Sequence, residues 1–194
     1  MSSEQRRAMI VAAALPLVAE HGAAVTTGQI ARAAGIGEGT IFRVFADKDA
    51  LLDACTLEAM NSAHVLRELD SIPLDDPLDA RLVQAAEALR AYLERMGTVM
   101  AALAASGHRR TRTAGDGPAL GSRENAVTAT RQAVTDLVEP DRAALRLAPE
   151  KLAAVFLRML FSRSPQAGGE AEPSAAELVD VLLHGALAAP GGAA

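Results

Sequence analysis

The stretch Thr26–Lys48, TTGQIARAAGIGEGTIFRVFADK, decides the fold. Thr26 followed three residues later by Gln29 is a capping-box pattern, so a helix is expected to start there. Ile30, Ala31 and Ala34 give that helix one apolar face. Gly35 then stops it, because glycine tolerates the left-handed conformation of a helix end. Ile36 can pack inward across the turn. A second short helix is expected from about Glu38 to Phe45, with Ile41 and Phe45 four apart on its buried side. Two short helices around a glycine turn form a helix-turn-helix unit. The pattern taken alone also describes an ordinary helical hairpin within a bundle.

Upstream, a helix is expected from about Ser3 to His21, with Ile10, Ala13, Ala14, Leu17 and Val18 as its buried stripe and Gly22 as its stop. Pro16 conflicts with it, since a proline inside a helix removes a backbone hydrogen bond at about 3 kcal/mol. Downstream, Asp47 reads as the N-cap of one long helix reaching about Leu69. Pro73 and Pro77, with Asp75 and Asp76 between them, mark a loop. A helix follows from about Leu78 to Leu93, then a break near Gly97 into a short apolar helix through Val99, Met100 and Leu103. Residues 107–121, rich in glycine, read as a mobile loop whose Arg109, Arg110 and Arg112 could attract an anion or simply be solvated. Helices are expected from about Ser122 to Val138 and Pro149 to Arg163, joined by a flexible stretch over 164–173 to a last helix. That helix starts near Ser174, capped with Glu177, and runs to about Ala188 before a frayed PGGAA tail. There is no β pattern and no internal repeat, so the chain reads as all-α with nine or ten helices.

Half of the 194 residues are hydrophobic and only 3% are aromatic, which suits helices packed through small side chains. One cysteine, Cys55, excludes an internal disulfide and reads as a small buried residue. Residues Met1 to Arg7 lack a secretory signal, and no apolar run reaches the length of a membrane span. A cytoplasmic protein with no membrane partner is expected. The net charge of −5 argues against a non-specific nucleic-acid coater. Residues 1–50 carry five basic groups (Arg6, Arg7, Arg32, Arg43, Lys48) against five acidic ones (Glu4, Glu20, Glu38, Asp47, Asp49), so the acidic excess lies beyond residue 50. A neutral reader beside an acidic body implies modest electrostatic affinity for each subunit.

The segment Ile10–Leu52 resembles the N-terminal domain of the TetR/AcrR family of bacterial transcriptional regulators. The resemblance rests on Ile10, Ala13, Ala14, Leu17 and Gly22 in the first helix, and on Ile30-Ala31 and Ala34-Gly35-Ile36 in the second helix and turn. Gly39-Thr40-Ile41-Phe42 and Phe45 match the recognition-helix signature, and Lys48 with Leu51-Leu52 the start of the fourth helix. It implies an N-terminal three-helix helix-turn-helix domain over residues 1–46, followed by a larger helical ligand-binding and dimerisation bundle over 47–194. The implied function is a sequence-specific regulator, a homodimeric repressor released from a palindromic double-stranded DNA operator by a small effector, and not an enzyme.

By that resemblance Thr40 and Lys48 contact phosphate, and Thr26, Arg32, Gly37, Glu38, Gly39, Phe42 and Arg43 complete the DNA-facing set. Arg43 suits guanine, whose O6 and N7 accept two hydrogen bonds, or else a phosphate. Glu38 could accept from cytosine N4 or stabilise a helix start. Three positions depart from the family pattern: Phe42 lacks a tyrosine hydroxyl, Gly28 lacks a longer polar side chain, and Gly37 lacks a hydroxyl cap. Arg6, Arg7 and Arg32 could compensate.

A pocket for a small apolar or amphipathic effector would draw on Met60, His64, Leu89, Tyr92, Met96 and Met100, since methionine and aromatic walls suit a plastic site. The apolar stripes Leu152, Val155, Phe156 and Met159, and Leu178, Val179, Leu182 and Leu183, fit either a homodimer interface or the chain's own core. No cofactor or metal is expected. The four histidines are far apart, and no HExxH, CxxC, GxSxG or P-loop pattern is present. An α-helical enzyme and a protein-binding helical adaptor are the competing classes; the adaptor predicts no DNA retention even at low salt.

Overall fold

In the computed structural model the described residues are 2–108, 120–162 and 172–185. The Arg109, Arg110 and Arg112 cluster, most of the stretch 164–173 and the tail beyond residue 185 lie outside them. The described residues are helical and contain no strand. The nine α-helices among them are α1 (Ser3–His21), α2 (Thr27–Ala33), α3 (Glu38–Val44), α4 (Lys48–Ala59), α5 (Ala63–Asp70), α6 (Leu78–Ala105), α7 (Leu120–Val138), α8 (Pro149–Phe161) and α9 (Ala175–His184). Short 3-10 turns at Gly22–Ala24 and Glu139–Ala144 follow α1 and α7.

The expected caps are in place. Thr26 and Gln29 form a reciprocal capping box at α2, and Ser174 and Glu177 another at α9. The Asp47 carboxylate accepts from the Ala50 N–H at 2.7 Å. A third box, Ser2 with Gln5, starts α1. The α1 helix runs through Pro16 without a break, because Ile10, Val11, Ala14 and Val18 are buried on its inner face.

Two expectations need correction. The long helix from Asp47 to Leu69 is two helices, α4 and α5, separated by a turn over 60–62. Asn61 and Ser62 favour local side-chain bonding over helix, and Asn61 bonds back to Glu58 through both its N–H (3.0 Å) and its amide (3.3 Å). Conversely, α6 does not break at Gly97; it is continuous over 28 residues. One interior glycine costs only about 1 kcal/mol, and buried Leu82, Ala86 and Leu89 on one side and Val99 and Leu103 on the other hold the helix in place. Ser3–Ala24 has the length and mean hydropathy (1.2) of a membrane span. Its apolar side is the core face described above, packed with α2, α3 and α4.

The chain forms two compact units. The first comprises residues 1–61 and 92–123, the second 62–91 and 124–194, so α6 contributes to both. The core of the first unit joins Ile10, Val18, Ile30, Ile41, Phe45, Leu51, Leu52 and Cys55 to Val99 and Leu103 of α6. It extends past residue 46 because α4 and the end of α6 close its apolar side. Polar ties and one close backbone approach fix that end. The Ala23 N–H donates to Ser106 Oγ at 2.7 Å, and that hydroxyl donates to the Ala102 carbonyl at 2.7 Å. Gly22, at φ +56, leaves no room for a Cβ against Ala102. His108 lies between two carboxylates of α4, 3.6 Å from Asp49 and 3.2 Å from Asp53.

The second unit is built around Val65, Leu82, Leu89, Val134, Phe156, Leu160 and Leu178. Arg81 is 2% exposed inside it, with its guanidinium donating to the Leu137 carbonyl and the Asp141 carboxylate. Such a buried cation is tolerable because it is paired and hydrogen-bonded.

Candidate nucleic-acid interface

The site grows from the two helix starts and the turn between them. At α2 the Thr26 hydroxyl accepts the Gln29 N–H at 3.2 Å, and the Gln29 side chain accepts the Thr26 N–H at 2.8 Å. These bonds satisfy donors that a helix start leaves without partners. At the other end Gly35 has φ +67, the left-handed value that the turn demands. The Ile36 N–H reaches back to the Ala31 carbonyl at 3.0 Å, completing the stop. Gly37 precedes α3 with no side-chain cap, as its lack of a hydroxyl implied.

The seven-residue α3 has two distinct sides. Ile41 and Phe45 point into the core with Ile30 and Ala31 of α2, and this fixes the angle at which α3 leaves the domain. Gly37, Glu38, Gly39, Phe42 and Arg43 are exposed, and Thr40 is half-buried. Phe42 is 52% exposed, an aromatic ring presented to solvent where the helix contributes nothing to the core. Among the described residues no hydrogen bond or ion pair holds the Arg43 side chain or that of Arg32, which is exposed on the last turn of α2. Such guanidinium groups can donate to base edges or phosphate oxygens.

The flanks are tied to this surface by contacts that sequence patterns do not register. Lys48, at the start of α4, is half-buried and its ammonium donates to the Ala23 carbonyl at 2.5 Å. An ammonium has three donors, so two remain for another acceptor. The Thr27 hydroxyl donates to the Glu38 carboxylate, linking the first turns of α2 and α3. Arg7 lies with its guanidinium 4.6 Å from the centre of the Phe45 ring, a cation–π contact. These partners are 11 to 38 residues apart, and no periodicity connects them. The aromatic at 45 and the arginine at 7 were visible individually; their pairing depends on how α1 crosses the end of α3.

The expected effector residues divide between the units. Met60, Tyr92, Met96 and Met100 belong to the first and His64 and Leu89 to the second. The Tyr92 hydroxyl donates to the Met60 carbonyl at 2.8 Å. Leu89 is a core residue, Met100 is exposed, and His64 lies on the surface 3.4 Å from Glu68. Of the expected interface residues, Leu152, Phe156, Leu178 and Val179 are buried in their own unit. Val155 is exposed, while Met159, Leu182 and Leu183 are half-buried. An open depression beside α8 and α9 is lined by Met159, Leu178 and Val181 with Glu177 and Asp180 at its polar side. Hydrogen bonds from the Ser174 backbone and hydroxyl hold the Glu177 carboxyl below its ordinary pKa. No cluster of three metal-ligating side chains occurs among the described residues.

Residues 10–55 match the family described as bacterial regulatory proteins, tetR family. Solved structures with the same fold include FadR from Bacillus subtilis in complex with stearoyl-CoA, 15% identical over 92% of this chain and 98% of that one, with a TM-score of 0.54. A TetR transcriptional regulator from Streptomyces coelicolor is 23% identical over 92% of this chain and 97% of that one, at a TM-score of 0.52. A second regulator from the same organism is 22% identical over 95% of this chain and 79% of that one, at 0.51. These likenesses establish the fold, and the N-terminal match covers the capped α2, the Gly35 turn and the exposed face of α3. On that match residues 10–55 carry the N-terminal domain of the tetR family of bacterial regulatory proteins.

Proposed function

We propose that the protein is a cytoplasmic, sequence-specific DNA-binding regulator, a homodimeric repressor that a small apolar or amphipathic effector releases from a roughly palindromic operator. The observation that carries this reading is the two-sided α3. Its inner side is fixed by Ile41 and Phe45, while Phe42 and Arg43 stand exposed on the other. In this reading residues 1–46 form the DNA reader and residues 47–194 the ligand-binding and dimerisation part. Thr40 and Lys48 hold phosphates and set the register, with Thr26 and Arg32 beside them. Arg43 reads a base edge, Phe42 makes apolar contact with a thymine methyl group or the sugar, and Gly37 and Gly39 let the backbone approach closely.

The contact set is thin, so a second copy is needed for tight binding: linking two weak readers makes the second contact intramolecular. The outward positions of α8 and α9, Val155, Met159, Leu182 and Leu183, are where a second chain would add to the core of the second unit. The effector acts by preferring one shape of the body, so ligand weakens DNA binding and DNA weakens ligand binding. The fold shared with FadR, whose structure holds stearoyl-CoA, supports an effector site in the body.

The test is retention of a DNA fragment carrying the chain's own upstream region, across a series of salt concentrations. Binding that falls with salt, and falls further in Arg43→Ala, supports the reading. Unchanged affinity in an Arg43→Ala, Lys48→Ala double variant contradicts the residue assignment.

A further inference from the structure

Glu38 is the one acidic side chain on the exposed face of α3, the face assigned to DNA. Its carboxylate does not extend away from the protein. It accepts the Thr27 hydroxyl and lies over Gly28, where a Cβ would meet its oxygens at 3.8 and 3.9 Å. The group is therefore folded back across the first turn of α2, held by a donor of the chain itself. A carboxylate accepting a hydroxyl keeps lone pairs for a second donor, but its negative charge remains, and the side chain is exposed. Charge and hydrogen bond have opposite consequences at a surface that meets phosphates.

Resting on the DNA-binding reading above, we propose that Glu38 is a positioning and specificity residue and not a base reader. Through Thr27 it fixes α3 against α2, and through its charge it holds down binding to DNA of any sequence. The two helices are only seven residues each, and α3 has no side-chain cap, so a bond between their first turns adds a restraint at the start of α3 to the core packing of Ile41 and Phe45. The charge acts on every duplex alike, because phosphates carry no sequence information. The restraint acts only where geometry matters, on the operator, because base-edge hydrogen bonds demand a fixed helix orientation. Gly28 itself places no side chain beside the carboxylate, although a Cβ there would be in ordinary contact with it.

Three variants separate the two effects, read as affinities for an operator fragment and for a random duplex of equal length. Glu38→Gln removes the charge and keeps an oxygen that can accept from Thr27. Both affinities should rise about threefold at low salt, the operator-to-random ratio should hold, and the gain should fade as salt rises. Thr27→Val removes the bond and keeps the charge, so the operator affinity should fall while random-duplex affinity stays put. Glu38→Ala removes both, so random-duplex affinity should rise and the ratio should fall. Thermal unfolding of each variant is recorded alongside, and Glu38→Gln supplies the comparison in which the bond is retained.

A Glu38→Gln protein that loses operator affinity tenfold while random binding is unchanged would make Glu38 a base reader and overturn the inference. So would a ratio that stays constant in both Thr27→Val and Glu38→Ala. A wild-type chain that retains neither duplex overturns the DNA reading itself. A wild type that binds, with variants indistinguishable from it, overturns the role of Glu38 alone.

Discussion

The Arg7 guanidinium lies 4.6 Å from the centre of the Phe45 ring, so the first helix grips the residue that ends the recognition helix. Phe45 is 2% exposed, and its ring is an inner wall of the first unit's core. Arg7, one of three arginines the sequence offered as able to compensate for missing contacts, is thus engaged with the protein. Arg7→Ala should lower stability by about 1 kcal/mol, measured by urea unfolding, with the loss smaller in Arg7→Lys, which keeps the charge. A variant as stable as wild type would show that the contact contributes nothing.

Cys55 lies in the same neighbourhood. Burial pushes its thiol up to about 12, with Arg7 opposing the shift and Glu58 adding to it. The native protein should therefore resist a thiol-modifying reagent at pH 8 and react fully once unfolded. The sign of the linkage follows from a raised pKa on an acid that is neutral when protonated. Stability is fully present below the unfolded pKa and is lost as pH rises through the interval from the model-compound value of 9.0 toward about 12. Stability that rises over that interval would contradict the burial of the thiol.

Two glycines should answer the same substitution with opposite signs. At Gly22, φ is +56 and an added Cβ would sit 2.3 Å from the Ala102 carbonyl oxygen and 2.6 Å from Ser106 Oγ. Gly22→Ala should cost about 2–4 kcal/mol through backbone strain and overpacking. At Gly97 nothing lies within 4 Å of such a Cβ and the residue is inside α6. Gly97→Ala should stabilise by about 1 kcal/mol. Unfolding midpoints that move in the same direction would contradict the close packing of α6 on the end of α1.

In the second unit, Asp141 accepts from a guanidinium that is almost wholly enclosed. Asp141→Ala leaves Arg81 with a buried charge and should destabilise by about 3 kcal/mol, measured by denaturant unfolding. A loss below about 1 kcal/mol would place the Arg81 charge in contact with water.

Local features of the fold were legible because they depend on near neighbours. Thr26 with Gln29, Ser174 with Glu177, and Gly35 each act within a few residues, and the structure forms each as the pattern implies. The start and stop of α1 were read correctly through Pro16, since a buried stripe on both sides of the proline outweighs one missing hydrogen bond. Helix lengths in the body were harder. The Asn61-Ser62 turn follows the local bonding of those residues, which the apolar spacing around them concealed, whereas the continuous helix at Gly97 reverses what propensity alone suggests, because packing on both sides of it decides whether a weak helix position holds. At the candidate site the sequence identified which residues α3 exposes. It could not identify that Thr27 holds Glu38 or that Ala23 receives Lys48, because those pairs form only when α2, α3 and α4 are assembled.

The central claim, a paired reader of a specific duplex site, is tested most directly by selecting bound fragments from the host genome with the full chain and repeating the selection with Arg43→Ala. The account predicts enrichment of a roughly palindromic site whose half-sites lie one DNA turn, or a multiple of it, apart, with enrichment lost in the variant. Fragments with no common site, or an equal enrichment by wild type and Arg43→Ala, would contradict it.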